Sequence, residues 1–325
     1  MIRASAHVDR DLAQARGPGK SPGAPAWARA LVAGAPTLDP TPPLPGAALR
    51  ARARDRVALA SFEVPAADTL GEEAFREAVD LGYRALAAEL SARSLRPLRY
   101  WNYVPSIGDA GPSGLSGYEL FNQARRTTFE RPSVAPLGQG SGIAASAVDT
   151  RGGDLSIFVL AADRLPEPID NPRQIEPHEY SARYGPVAPR FARAVAIDEA
   201  LVRDLGFPDA IVSGTASIVG EATRHVGDLE AQLCEAAVNL ATVSLAFSGR
   251  AESRPVGADL DPVLREALGA YGDLRIYVPR PGDEAAIAEW AGELFPGAHS
   301  LEFVGADLCR PDLLVEVEGT LQRTR

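Results

Sequence analysis

Residues 305–320 read GADLCRPDLLVEVEGT, and the part LLVEVEG alternates in the way that is typical of a half-buried β-strand. In such a strand Glu316 and Glu318 lie beside Leu314 on one face, while apolar residues fill the other face. The pattern alone favours two exposed glutamates and a Cys309 that fills space in the core. A glutamate buried in an apolar pocket would instead have a raised pKa and could donate a proton near neutral pH.

The segments before this strand predict an α+β chain in which a sheet carries helices on one face. In the second half we predict strands over 210–220, 274–279 and 299–305 and helices over 227–247 and 283–295, and an antiparallel pair of strands that closes the chain. The first half has a rougher version of the same order, with strands over 57–65 and 95–107, helices over 71–93 and 116–130, and a β-hairpin over 142–162. This similarity indicates a weak internal repeat.

Composition excludes several classes of protein. The chain has 325 residues, of which 46% are hydrophobic, and a net charge of −10, which argues against a general nucleic-acid-binding protein. Two cysteines and four scattered histidines give no disulfide framework and no metal-ligand spacing, so we expect neither a metal nor a cofactor. No signal segment or membrane span is evident, and a cytoplasmic protein is expected.

Proline and glycine mark the expected domain boundaries. Residues 1–48 are rich in both and predict a flexible or loosely docked arm. We expect an N-terminal α+β domain over 49–165 and a C-terminal domain over 166–325, which includes a polar loop over 166–194. A loop of this length in a compact chain is usually functional or disordered, and its arginines and tyrosines favour an ordered loop.

Arginines are the most informative residues of this loop, which contains Arg173, Arg183, Arg190 and Arg193 together with Tyr180 and Tyr184. They could simply be solvated partners of the many acidic residues. They could also clamp a carboxylate substrate, because guanidinium groups bind carboxylates through two parallel hydrogen bonds. The sequence leaves both interpretations open.

Several segments together resemble the chorismatases, enzymes that remove the enolpyruvyl group from chorismate. The segments are RYWNYVPSI, GLSGYELFNQARRTTFE, DNPRQIEPHEYSARYGPVAPRFARA, SGTASIVGEATRHVGDLEAQLCEAAVNL and ADLCRPDLLVEVEG, which lie in the family's order between Arg99 and Gly319. The resemblance implies a C-terminal half with a YjgF/Rid-like (chorismate mutase-like) fold and a related, more divergent N-terminal half.

The resemblance also implies a role for individual residues. Glu316 would be the acid that protonates the methylene carbon of the enol ether, after which pyruvate leaves. Arg173 and Arg193 would bind the two carboxylates of chorismate. Tyr184, and Ser213 or Thr215, would donate or accept further hydrogen bonds.

The family divides by product, and Cys309 bears on this choice. One type hydrolyses chorismate to 3,4-dihydroxycyclohexa-1,5-diene carboxylate and pyruvate. The other forms 3-hydroxybenzoate and pyruvate, for secondary metabolism, through attack of the substrate's own ring hydroxyl and aromatisation. A cysteine seven residues before the glutamate resembles the second type, so we predict 3-hydroxybenzoate.

Other features leave alternatives open. Glu221 stands where the family commonly has histidine, and FARA replaces the commoner FSRA, so substrate or product could differ. A Rid-like module that binds small carboxylates without catalysis, or that deaminates imines, is the alternative from another class. We expect a small-molecule partner, neither nucleic acid nor membrane, and a monomer or a small homo-oligomer.

Overall fold

Two β-sheets stacked face to face form the centre of the protein. The computed structural model describes residues 21–134, 142–250 and 260–323. The strands are β1 Thr37–Leu38, β2 Ala48–Arg54, β3 Val57–Val64, β4 Arg96–Tyr103, β5 Ala144–Asp149, β6 Leu155–Ala162, β7 Glu167–Ile169, β8 Ala194–Ala196, β9 Ala210–Thr215, β10 Ile218–Val219, β11 Ala222–Thr223, β12 Tyr271–Val278, β13 Ser300–Gly305, β14 Asp307–Leu308 and β15 Glu316–Leu321. The first sheet has the strand order β1-β2-β3-β6-β4-β5-β14 and the second β13-β12-β15-β9-β8-β7, while β10 and β11 form a separate ribbon.

Helices pack against both sheets. They are α1 Ala26–Ala30, α2 Glu72–Ser91, α3 Gly117–Phe129, α4 Glu199–Leu205, α5 Leu229–Phe247, α6 Pro262–Leu268 and α7 Glu284–Leu294. Helices α2 and α3 cover the outer face of the first sheet and α5, α6 and α7 that of the second, whereas α1 and α4 pack into the core between the sheets. One apolar core joins α2 and α3 to the first sheet, a second joins α5, α6 and α7 to the second sheet, and a third lies between the two sheets. No helix in the described ranges is both long and apolar enough to cross a membrane.

The two halves share one topology. In the first half β2, β3, β6, β4 and β5 are neighbours in that order, and only the β4–β5 pair is parallel. In the second half β8, β9, β15, β12 and β13 repeat the order, again with one parallel pair, β12–β13. The helices α2 and α5 lie at equivalent places in the chain, as do α3 and α7. The predicted α+β fold with two related halves is therefore confirmed.

Two predicted strand pairs are wrong, and for the same reason. The expected hairpin over 142–162 does not form, because β4 lies between β5 and β6. The expected closing pair does not form either, because β12 lies between β13 and β15. In each half a helix carries the chain between two parallel neighbours, and the last strand then returns to the opposite side of the first of them.

Strand β15 is buried on both faces, whereas its sequence pattern predicts burial on one. Val317 and Leu321 pack against the helices of the second half, and Glu316 and Glu318 face the first sheet. The exposed fractions of these glutamates are only 6% and 3%. The stacking of a second sheet, which no local pattern encodes, buries the face that looked polar.

The N-terminal arm also differs in part from its prediction. Residues 1–20 lie outside the described residues, most of residues 21–35 are buried or half-buried, and residues 36–47 are exposed or half-buried. Ala28 and Val32 are buried in the core between the sheets. The carbonyl oxygen of Gly23 accepts hydrogen bonds from the Tyr103 hydroxyl at 2.8 Å and from Arg275 at 2.7 Å. These contacts show that the part of the arm around Gly23 is an integral piece of the fold.

Candidate active site

A cavity of about 250 Å³ lies at the junction of the two halves. The first half contributes residues from β4, β5 and α3, and the second contributes residues from the polar loop, from β9 and from the segment that leads into β15. The polar lining residues are Asn102, Ser116, Tyr118, Glu119, Asn122, Arg125, Ser146, Gln174, Tyr180, Arg183, Tyr184, Arg193, Cys309, Arg310 and Glu316. The cavity is therefore a mixed site that is rich in arginine.

Glu316 is the carboxyl group at the base of this cavity. Neighbouring Gly214 leaves room for it, because a β-carbon at that position would lie 2.0 Å from Glu316 Oε1. Its carboxyl accepts no hydrogen bond from any residue that the structure describes. Burial raises the pKa of Glu316 to about 8, with a further contribution from the charge of Glu318 and an opposing one from Arg99. Glu316 is therefore protonated at neutral pH and can act as a general acid.

Glu318, two residues further along, has the opposite surroundings. Its carboxylate accepts hydrogen bonds from Trp101 Nε1 at 2.7 Å, from Ser146 Oγ at 2.8 Å and from the Tyr277 hydroxyl at 3.1 Å. It also forms a buried ion pair with Arg99. This set of donors holds the carboxylate of Glu318 in one position. The structure thus separates two glutamates that the sequence pattern leaves equivalent.

Cys309 lines the cavity and carries a protonated thiol. Burial, with a contribution from the nearby Glu316, raises the pKa of this thiol to about 12. Because the thiolate is the reactive form of cysteine, this environment argues against a nucleophilic role. The side chain also packs at the margins of the first core and of the core between the sheets. Cys309 therefore shapes the cavity wall as a small neutral group.

Two buried arginines supply positive charge to the cavity. Arg125 donates through Nε to the Tyr83 hydroxyl at 3.0 Å and through Nη1 to the carbonyl of Arg190, and its Nη2 has no partner in the described structure. Arg193 donates to the carbonyl of Ile175 and to the Tyr180 hydroxyl, each at 2.8 Å, and its Nε has no partner there. Buried donors without acceptors are costly, so these two nitrogens are suited to an anionic ligand.

Arg310 and the tyrosines of the polar loop form one wall. The guanidinium of Arg310 lies 3.9 Å from the ring centroid of Tyr184 and 5.4 Å from that of Tyr180, a cation–π arrangement. Glu221 fixes the loop from outside, because its carboxylate accepts hydrogen bonds from the backbone N–H and the hydroxyl of Ser181, each at 2.7 Å. Glu221 does not line the cavity, so its charge is directed at the loop rather than at a ligand.

The structure brings together four of the predicted site residues, namely Glu316, Cys309, Tyr184 and Arg193. Arg173 does not line the cavity. Its guanidinium is buried under the polar loop, where it forms an ion pair with Glu235 and donates to Asn239 Oδ1 at 2.5 Å.

Ser213 and Thr215 are also absent from the lining. The Ser213 hydroxyl donates to the Ala192 carbonyl at 2.6 Å and accepts from the Ala145 backbone N–H at 2.9 Å. The Thr215 hydroxyl donates to the Ser213 carbonyl at 3.0 Å. Both hydroxyls are therefore engaged by the backbone, and Ser213 connects the two halves.

Sequence reasoning missed the contribution of the first half, above all Arg125 and Asn102. Both lie in segments that carried the resemblance, so a signal was present. Arg125 is on the face of α3 that turns toward the core, where an arginine is unusual and needs a partner or a ligand. Among the described residues, no group of three or more His, Cys, Asp or Glu could hold a metal ion.

Comparison with known proteins identifies the family. Residues 46–161 match the family model described as the N-terminal part of FkbO/Hyg5-like chorismatase. A protein named 3-hydroxybenzoate synthase from Streptomyces hygroscopicus is 34% identical over 225 residues, which are 69% of this chain and 62% of the relative. A protein named Chorismatase from Streptomyces rapamycinicus is 31% identical over 255 residues, which are 74% of this chain and 65% of the relative. The chain thus spans somewhat less than two thirds of these relatives' length.

A crystal structure of a chorismatase shares the fold. It aligns over 87% of this chain and 78% of its own, with a TM-score of 0.69 at 23% identity. A Mycobacterium tuberculosis protein of the YjgF/YER057c/UK114 family aligns over 41% of this chain and 86% of its own, with a TM-score of 0.26 at 24% identity. The family model, the two relatives and the shared fold agree: the chain belongs to the chorismatase family.

Proposed function

We propose that this protein is a chorismatase that converts chorismate to 3-hydroxybenzoate and pyruvate. The observation that carries the proposal is Glu316, a buried and protonated carboxyl at the base of a cavity rich in arginine. Such a group suits an enol ether, whose cleavage begins with slow proton transfer to carbon. The name of one relative, 3-hydroxybenzoate synthase, supports this product, and the name of the other, Chorismatase, supports this substrate.

The first step is proton transfer from Glu316 to the methylene carbon of the enolpyruvyl group. This creates an oxocarbenium-like centre next to the ether oxygen and leaves Glu316 as a carboxylate. Arg125 and Arg193, through their nitrogens without partners, would each bind a carboxylate of the dianionic substrate and hold it in position. No cofactor is required for this step.

In the second step the ring hydroxyl attacks the neighbouring carbon that carries the ether. The bond from this carbon to the ether oxygen breaks, and its electron pair completes the carbonyl group of pyruvate. The proton of the hydroxyl returns to Glu316, and aromatisation of the ring gives 3-hydroxybenzoate. The two products together contain all the atoms of chorismate, so no water is consumed. Cys309 fills space in the cavity as a neutral thiol and would limit access of competing water.

The test is product analysis after incubation with chorismate. We expect pyruvate and an aromatic acid in equal amounts. Glu316→Gln should keep the fold, measured by circular dichroism, and lose about 10²–10⁴-fold in turnover, the usual contribution of a general acid. Near-normal turnover by this variant would refute the role of Glu316.

The outcomes also separate the alternatives. A non-aromatic diol with pyruvate would make the protein a chorismate hydrolase. No pyruvate at any protein concentration would favour a Rid-like binding or imine-deaminating module. Cys309→Ala should shift the product mixture toward the diol, because a smaller side chain leaves room for water. An unchanged mixture would remove the role given to Cys309.

A further inference from the structure

The two buried glutamates of β15 have unequal surroundings that call for an explanation. Glu316 and Glu318 lie two residues apart and therefore point to the same side of the strand. Both are buried, yet one accepts four hydrogen bonds and the other accepts none from the described residues. Two carboxyl groups this close do not ionise independently, since the charge of one opposes the charge of the other.

The donors around Glu318 come from three strands and from both sheets. Arg99 and Trp101 are on β4, Ser146 is on β5 and Tyr277 is on β12. Arg99 also donates to Ser146 Oγ at 3.0 Å. Such a network is costly to assemble in the interior and is expected to fix both the position and the charge of the carboxylate at its centre.

Among the groups around Glu316, Glu318 is the one whose negative charge raises the pKa of the Glu316 carboxyl. Tyr277 of β12 lies opposite Glu316 in the neighbouring strand, and Arg99 faces Glu316 from the first sheet. Cys309, in the segment that precedes β15, lies near it as well. The other titratable groups that line the cavity are Tyr118, Glu119, Arg125, Tyr180, Arg183, Tyr184, Arg193 and Arg310. Burial is the main reason that Glu316 stays protonated, and the negative charge of Glu318 adds to burial against the opposing positive charge of Arg99.

We propose that Glu318 is a positioning residue whose fixed negative charge adds to burial in keeping Glu316 in its protonated form. Its network of donors holds that charge in place whether or not the cavity is occupied. After Glu316 has given up its proton, the same charge makes the resulting carboxylate a stronger base and favours return of a proton. The catalytic consequence rests on the proposed function, whereas the electrostatic effect on Glu316 does not.

The test follows the Glu316 carboxyl directly, by a carbon-13 NMR titration of protein labelled at the glutamate side-chain carboxyl. The signal of Glu316 is the one that disappears in Glu316→Gln. In the Glu318→Gln variant we expect the titration midpoint of the Glu316 carboxyl to fall by about one pH unit or more. In Glu318→Asp, which keeps the charge, the midpoint should remain near that of the natural protein. An unchanged midpoint in folded Glu318→Gln would overturn the proposal.

A second variant covers the case in which Glu318→Gln does not fold because Arg99 loses its partner. Arg99→Gln combined with Glu318→Gln removes both buried charges. The midpoint should still fall, though by less, because Glu318 influences Glu316 more strongly than Arg99 does. A midpoint that stays or rises in this double variant would also overturn the proposal.

Turnover measurements distinguish this inference from the proposed function. If chorismate is the substrate, the pH at which kcat/KM declines should move down together with the NMR midpoint in Glu318→Gln. If no turnover of chorismate is found and the NMR midpoint still moves, the proposed function fails and the electrostatic role of Glu318 stands. A decline of kcat/KM that stays in place while the NMR midpoint moves would contradict the catalytic role of Glu316.

Discussion

At the scale of single residues, Gly214 shows how a missing side chain makes room for the buried carboxyl group of Glu316. A β-carbon on Gly214 would lie only 2.0 Å from Glu316 Oε1, which is a severe clash. The glycine is therefore a steric requirement of the carboxyl position rather than of the backbone. This argument is independent of the identity of the ligand.

Gly214→Ala should displace the Glu316 carboxyl and lower kcat by about 100-fold, since small misplacements of reacting groups have effects of this size. Gly108→Ala is the matched control, because Gly108 also lines the cavity but has open space around the added β-carbon. The measurement is steady-state kinetics with chorismate, alongside thermal unfolding of each variant. Equal loss of kcat in both variants would contradict the steric explanation.

The raised pKa of Glu316 also predicts how stability changes with pH. Below pH 4.5 the carboxyl is protonated in both the folded and the unfolded chain. Between pH 4.5 and about 8 only the unfolded chain ionises, so unfolding releases a proton and rising pH destabilises the fold.

Glu316→Gln removes this contribution. The stability of the natural protein relative to the variant should therefore fall through that interval and level off above pH 8. The total difference should be a few kcal/mol, at about 1.4 kcal/mol per unit of pKa shift. Urea unfolding of both proteins at several pH values measures it, and parallel curves would show that Glu316 titrates normally.

At the scale of elements, the polar loop owes its position to helix α5. Arg173 in the loop pairs with Glu235 of α5, and His225 Nε2 lies 3.0 Å from the second oxygen of the same carboxylate. Glu221 holds the middle of the loop through Ser181. The arginine that the sequence assigns to a substrate is thus engaged in fastening the wall of the cavity.

Arg173→Met should destabilise the protein by about 3–5 kcal/mol, because it leaves the buried Glu235 without its main partner. Arg183→Met is the matched control, since Arg183 belongs to the same loop but is exposed and lines the cavity. We expect the control to keep its stability and to alter KM. The measurements are denaturant unfolding and steady-state kinetics. A stable Arg173→Met variant with a raised KM would instead indicate that Arg173 binds the substrate.

At the scale of the whole molecule, the face-to-face stacking of the sheets joins the two halves into one unit. Trp101 of the first half and Tyr277 of the second lie in the core between the sheets. The ion pair of Arg99 and Glu318 also crosses this layer. Separation of the two halves would expose this core and would leave Arg99 and Glu318 each without its partner.

We therefore expect a single cooperative unfolding transition, although the two halves share a topology and could look like independent domains. Trp290→Phe removes the tryptophan of helix α7 and leaves Trp27 and Trp101, which lie at the core between the sheets. Fluorescence of this variant and far-ultraviolet circular dichroism should give the same urea midpoint. Two separate midpoints would show that the halves unfold independently.

The sequence by itself determined the α+β class, most of the helices and strands, and the residues Glu316, Cys309, Tyr184 and Arg193 of the candidate site. These follow from local periodicity and from segments that resemble a family, and both kinds of signal are present in the sequence. The tertiary structure alone decided which strands are neighbours, because the order in a sheet depends on where each crossover helix packs. It alone decided that Arg173 fastens a loop while Arg125 faces the cavity, since partners distant in sequence set the role of a buried charge. It also decided which glutamate of VEVEG is a charged anchor and which a protonated acid, because that depends on donors contributed by the opposite sheet.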